Sequence, residues 1–166
     1  PMDPGAVGLA DFDGDGLVEL YTRTQIYDAH TGKKLGENNI DNNNTGIHAG
    51  VNKGWSMNSM APIAVDIDAT TPGLELVAGC RIYAVSINRG AMTATLTLTK
   101  ERPEYATRTG TVKGSGTSVA DFNQDGFLDV LAVGSRGAYD ANTTIFFWDV
   151  QNNVLKTYTD LTGTGD

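Results

Sequence analysis

The chain has 166 residues, with 20 Asp and Glu against 12 Lys and Arg, a formal net charge of −8. That balance excludes the basic face on which a nucleic-acid binder depends and speaks against electrostatic docking on an anionic membrane; no apolar run approaches the ~20 residues of a membrane span. An apolar fraction of 40% excludes simple disorder, and 20 glycines with abundant Thr and Asn point to strands and turns.

In chain order, a strand is expected over 5–10, followed by the acidic loop Asp11-Phe12-Asp13-Gly14-Asp15-Gly16-Leu17-Val18-Glu19. Strands are then predicted over 19–22 and 25–28, with a polar turn over 29–33. The Asn-rich stretch 37–50 reads as an exposed loop. A strand over 63–65 leads to the second acidic segment, Asp66-Ile67-Asp68, and strands follow over 75–78 and 81–87, with a turn at Asn88-Arg89-Gly90. The lone cysteine, Cys80, permits no intrachain disulfide and reads as a small core residue beside Leu76, Val77 and Ala78. Met92, Ala94, Leu96 and Leu98 alternate with Thr93, Thr95, Thr97 and Thr99, the period of a half-buried strand. Further strands are expected over 118–120, 129–133, 144–150 (with Trp148 in the core) and 154–158, and the turn 151–153 is polar. No segment reads as a helix of ten or more residues.

The acidic segments begin at Asp11, Asp66 and Asp121, two equal intervals of 55 residues. Repeats of about 1–56, 57–111 and 112–166 each offer about four short strands. Four antiparallel strands at this period describe a β-propeller blade; a β-helix coil has a much shorter period. The expected fold is therefore all-β, about three four-stranded antiparallel repeats of 55 residues. Three blades do not close a ring. A fourth lead aspartate would fall just past Asp166, and Pro1-Met2-Asp3-Pro4 shows no signal peptide, so the chain reads as a window on a longer array. The alternative is that several copies complete one ring.

The first and third loops follow Asp-x-Asp/Asn-x-Asp-Gly-x-x-Asp/Glu. Calcium takes six to eight oxygen ligands, and this spacing turns the first, third and fifth side chains inward. Glycine at the sixth position allows the chain to fold back, the seventh offers its carbonyl, and the ninth closes with a carboxylate. The candidate ligands are Asp11, Asp13, Asp15, the Leu17 carbonyl and Glu19, and then Asp121, Asn123, Asp125, the Phe127 carbonyl and Asp129. Oxygen-only donors favour Ca2+ over zinc. An EF-hand is excluded because its twelfth position, a bidentate Glu, is Thr22 in one loop and Ala132 in the other. A dockerin loop is excluded because the chain continues into a β-type apolar run. The competing interpretation is a plain Asp/Gly-rich turn, which two full matches at one interval disfavour. The second loop departs from the pattern: Thr70 stands fifth, no glycine stands sixth, Pro72 and Gly73 follow, and Glu75 arrives one residue late. Asp66, Asp68 and Glu75 thus leave a third site open.

These loops resemble the calcium-binding repeats of the FG-GAP/VCBS family, which build integrin α-subunit-like propellers. The residues carrying the likeness are Ala10–Gly16 and Val119–Val130. The resemblance implies a seven- or eight-bladed propeller, completed by the rest of the same parent chain, with a calcium loop between the first and second strands of a blade. It also implies an extracellular or cell-surface location and a structural role for calcium. The function expected is adhesion or binding of a protein or carbohydrate ligand, with no nucleic acid and no membrane insertion. The alternative is part of a carbohydrate-binding lectin or polysaccharide lyase on the same propeller.

Enzyme chemistry is not expected. His30 and His48 lack partners at metal-ligand spacing, Gly134-Ser135-Arg136-Gly137 is not a nucleophile elbow, and Gly114-Ser115-Gly116 lacks the rest of a phosphate loop. The paired carboxylates are accounted for by the calcium loops. Trp55, Tyr105 and Tyr139 are candidate contacts for a ligand, and Asn43 and Asn142 stand in glycosylation sequons.

Overall fold

Short runs of alternating apolar residues, each broken by an Asp-, Asn- or Gly-rich turn, fold here into strands that pair with their sequence neighbours. The computed structural model describes residues 6–38, 61–79, 81–101, 112–136 and 143–159. Cys80, His48, Trp55, Tyr105, Tyr139, Asn43 and Asn142 lie outside the described residues.

The first sheet holds β1 (Val7–Ala10), β2 (Glu19–Thr22), β3 (Gln25–Asp28) and β4 (Lys34–Glu37). The second holds β5 (Ile63–Val65), β6 (Glu75–Ala78), β7 (Arg81–Asn88) and β8 (Thr93–Glu101). The third holds β9 (Val112–Ala120), β10 (Asp129–Arg136), β11 (Thr143–Asp149) and β12 (Val154–Thr159). Each sheet is an antiparallel meander in sequence order. The described residues form strands and turns without a helix, in three four-stranded antiparallel sheets of the propeller-blade type that do not close a ring. No helix among them is long and apolar enough to cross a membrane.

Several strand limits differ from the sequence expectation. β4 carries no readable period because only Leu35 is buried in its four residues. β8 begins at Thr93 because Met92 has a positive φ of 54° and belongs to the turn. β9 and β10 run longer than expected, pairing through an irregularity at Val133/Gly134 that absorbs the Gly-rich sequence. His30 is exposed and Trp148 is buried, as expected.

The core runs between the sheets. β6 is buried along its whole length, and Leu76, Val77, Ile82 and Tyr83 are fully enclosed. Trp148 and Phe146 anchor the third sheet. β1 touches β5 and β5 touches β9, so the first strands of successive sheets are neighbours, while β4 lies along β8. Gly36 permits that approach, since a Cβ there would stand 2.0 Å from the Ala94 carbonyl oxygen. The Asn38 amide donates to the Leu96 carbonyl at 3.0 Å across the same seam, and the Ala64 N–H donates to the Tyr21 hydroxyl at 3.3 Å.

Phe12, the second residue of the first acidic loop, is the wedge of this joint. It is fully buried, meets Tyr21 edge-on at 5.6 Å, and its carbonyl accepts from Leu74 N–H at 2.9 Å. Its counterpart Phe122 is 43% exposed, resting edge-on against Phe147 with no described sheet over it. Gly73 makes the Phe12 contact possible: its φ is +89°, and a Cβ would stand 2.3 Å from the Phe12 carbonyl oxygen. Both the left-handed backbone and the clash penalise a side chain there. Gly73→Ala is expected to destabilise the protein by about 2–3 kcal/mol, measured by urea unfolding.

Candidate metal centres

Each acidic loop joins the first two strands of its sheet, and the residue before the loop pairs with the acid that closes it: Ala10 with Glu19, Val65 with Glu75, Ala120 with Asp129. The late arrival of Glu75 is therefore corrected by the structure of the turn. The Thr71 N–H donates to the Asp68 carbonyl at 2.8 Å, the extra residue is looped out, and Glu75 reaches the same register position as its counterparts.

The first and third loops share one web of side-chain-to-backbone bonds. Asp11 accepts the N–H groups of Gly14, Asp15 and Gly16 at 2.8, 3.1 and 2.9 Å. Asp121 accepts those of Asp125 and Gly126 at 3.0 and 2.9 Å. The fifth residue accepts the N–H of the seventh, Asp15 from Leu17 at 2.8 Å and Asp125 from Phe127 at 3.0 Å. These bonds curl the loop so that its acids converge. Asp11, Asp13 and Asp15 bring carboxylate oxygens within 4.8 Å of one another, the one such trio of His, Cys, Asp or Glu among the described residues. The curl needs left-handed backbone at the sixth position, met by Gly16 and Gly126, and at the fourth, met by Gly14 and by Gln124 with φ 61°.

The closing acids are buried. Glu19 Oε2 accepts the Phe12 N–H at 3.0 Å. Glu75 Oε2 accepts from Ile67 and Asp68 at 3.0 and 3.3 Å, and Asp129 Oδ2 from Phe122 and Asn123 at 3.0 and 3.3 Å. One oxygen of each carboxylate is thus spent on the loop backbone. The other, Oε1 of Glu75 and Oδ1 of Asp129, is buried with no hydrogen-bond partner. Such an atom carries a desolvation cost that a cation would offset. The donor set is oxygen throughout, and it fits calcium.

In the second loop Asp66 is exposed, while Asp68 accepts the N–H and hydroxyl of Thr70 at 3.2 and 2.6 Å and lies 3.5 Å from Lys100 Nζ. Burial pushes Glu75 above the usual carboxylate range against its backbone bonds, and Asp66 and Asp68 push the same way. Burial raises Glu19 as well. Asp129 is raised by burial, with Asp149 and Asp125 adding to it. Asp15 is held low by Arg89 and then by the Leu17 N–H.

Sequence reasoning overlooked four residues beside these loops. Asp28 pairs in register with Glu19 and caps its turn through the Thr31 N–H and hydroxyl at 2.7 and 2.6 Å. Asp149 does the same at the end of β11, accepting from Asn152 N–H at 2.8 Å and from Asn123 Nδ2 at 3.3 Å. Both are acids at the end of a third strand, a signal visible once the strands are known. Lys100 and Arg89 come from strands and turns remote in sequence from the acids they meet.

Three antiparallel meanders, each with an oxygen-rich loop between its first two strands, define a segment of propeller-like repeats. Residues 114–147, which carry the third acidic loop, match the family model of the FG-GAP repeat, which bears out the resemblance read from the loop residues. Repeats of this family typically occur in extracellular or cell-surface proteins. No curated protein and no solved structure matches the chain.

Two expectations follow. Gln124→Gly copies Gly14 and relieves the left-handed strain, with a net gain of about 0.5–1 kcal/mol by chemical denaturation. Glu75 and Asp129 are raised from 4.5 and 3.8, so the folded state holds their protons more tightly than the unfolded chain. Stability of the metal-free protein contributed by them falls as pH rises from those ordinary values through the raised ones. Asp15, Asp28, Asp68 and Asp149 are lowered from 3.8 and act oppositely, their contribution being lost as pH falls through the lowered values. Asp129→Asn removes one raised group and keeps an acceptor for Phe122. It is expected to raise the metal-free melting temperature near pH 7, with a gain that shrinks toward pH 4, checked by calorimetry across that range.

Proposed function

We propose that this chain is a calcium-stabilised β-propeller segment of a secreted or cell-surface protein, non-enzymatic, acting in adhesion or partner binding. The observation that carries it is the buried, partnerless oxygen of Asp129, with Glu75 repeating it one sheet earlier. In the third loop Asp121, Asn123, Asp125, the Phe127 carbonyl and Asp129 would hold the ion, and in the first Asp11, Asp13, Asp15, the Leu17 carbonyl and Glu19. Asp66, Asp68 and Glu75 are the weaker third set, since Asp68 already meets Lys100. Calcium would neutralise converging carboxylates and fix the loop curl. The FG-GAP match supports an extracellular or surface setting, where free calcium is high enough for loops of this modest charge. A protein or carbohydrate ligand is the proposed partner, with the rest of the propeller supplied by the same parent chain.

A lectin or polysaccharide-lyase role is the second reading. The observation on its side is a cleft of about 410 Å³ between the second and third sheets, lined by Asp66, Asp68, Thr70, Lys100, Phe127 and Gln151. Acids beside an aromatic ring suit sugar hydroxyls and ring faces. A glycan array with a lyase assay on acidic polysaccharides separates the two readings, and turnover there would overturn the non-enzymatic one.

Calcium at about 1 mM is expected to add about 1.4 kcal/mol for each site with Kd near 0.1 mM, a rise of about 3–5 °C in melting temperature for a chain of this size. Chelation should reverse it, and native mass spectrometry should count the bound ions. A melting curve unmoved by calcium would overturn the proposal.

A further inference from the structure

The first and third loops share one ligand pattern but face different surroundings. Arg89, in the β7–β8 turn of the second sheet, reaches across the joint into the first loop. Its Nε donates to Asp15 Oδ2 at 2.9 Å, and its Nη1 to Asp28 Oδ2 at 3.2 Å. Its Nη2 donates to the Leu17 carbonyl at 2.9 Å, to Asp15 Oδ1 at 3.4 Å and to Glu19 Oε1. Three of the five oxygen donors of that loop, Asp15, the Leu17 carbonyl and Glu19, are therefore held by one guanidinium. Glu19 Oε1 is the atom whose equivalents, Glu75 Oε1 and Asp129 Oδ1, are buried without a partner.

We propose that Arg89 is the resident cation of the first loop, so that calcium enters it only by expelling the guanidinium from the joint between the first and second sheets. This rests on the calcium reading above and ranks the sites within it: the third loop fills first, although the first has the fuller set of carboxylates.

The two occupants exclude each other. A guanidinium is always charged and only donates hydrogen bonds, so it cannot act as a ligand beside the ion. Calcium seeks six to eight oxygens, and the atoms it would recruit at the fifth, seventh and ninth positions are those Arg89 holds. The apparent affinity of the loop is reduced by the fraction of molecules in which Arg89 is seated. Neither of the other loops shows such an arginine among the described residues. At the second joint the corresponding turn brings Val150 and Gln151 to the cleft beside the second loop, without charge.

The test compares the whole chain with Arg89→Gln, each with and without Asp121→Asn and Asp125→Asn, which silence the third loop, in calcium titrations of the four proteins by calorimetry. In the silenced background, Arg89→Gln is expected to tighten calcium binding about tenfold or more, the charge-assisted bonds no longer having to be displaced. Without calcium the same substitution should lower the melting temperature, and saturating calcium should recover it. Equal affinity with and without Arg89 would overturn the competition and leave the calcium reading standing. Absence of calcium binding in all four proteins would overturn both. Should a variant fail to fold, the Nε–Hε resonance of Arg89 in the unmodified protein provides the readout. It is expected to shift only after the first equivalent of calcium has bound, and a resonance unchanged at saturation would overturn the proposal.

Discussion

The structure depends on a carboxylate buried at the root of each loop. Glu19, Glu75 and Asp129 each begin a second strand and turn back to accept N–H groups from the start of the loop they close. That bond fixes where the first strand ends and the second begins, and so sets the register of the sheet. It also draws an ionisable group out of water, which is costly unless its charge is met. The neighbouring groups divide over that charge: Arg89, from the β7–β8 turn, meets Glu19, and Lys100, from β8, meets Asp68 in the loop that Glu75 closes, while Asp149 adds like charge beside Asp129.

The aromatic or aliphatic residue beside the lead aspartate links this electrostatics to packing. Phe12 gives its N–H to Glu19, its carbonyl to Leu74 and its ring to the core. Burying a ring of this size contributes about 2–3 kcal/mol, and it does so only while the second sheet is seated. Loop geometry and sheet-to-sheet packing are therefore set by the same residue.

Much of this was legible in the amino-acid order. The loops were readable because their acids stand at fixed short spacing, and β8 because threonine alternates with apolar residues over its length. The period of 55 residues located the three sheets through their loops. What escaped had physical causes. β4 is too short to show a period, and Gly36 serves a close approach that no alternation encodes. Glu75 was legible as a candidate but stood one residue late, and only the turn that loops out the inserted residue restores its register. Asp28 and Asp149 lie off the common period because the third repeat is longer between β10 and β11. Arg89 meets Asp15 across 74 residues of chain, a separation at which local pattern carries no information.

The contact of Leu74 and Arg89 with the first loop changes what counts as one unit of this chain. By strand pairing, the units are the sheets, and a cut between β4 and β5 divides them cleanly. By chemistry, the first loop is finished only by residues of the second sheet: a backbone N–H at Leu74, space at Gly73 and charge at Arg89. A sheet moved to a new neighbour as a cassette would leave that loop behind incomplete and carry away a cation with no acids to meet. Recombination that respects this protein must therefore keep the first loop and the second sheet, through the β7–β8 turn, on one piece, so that the loop travels together with the residues that complete it.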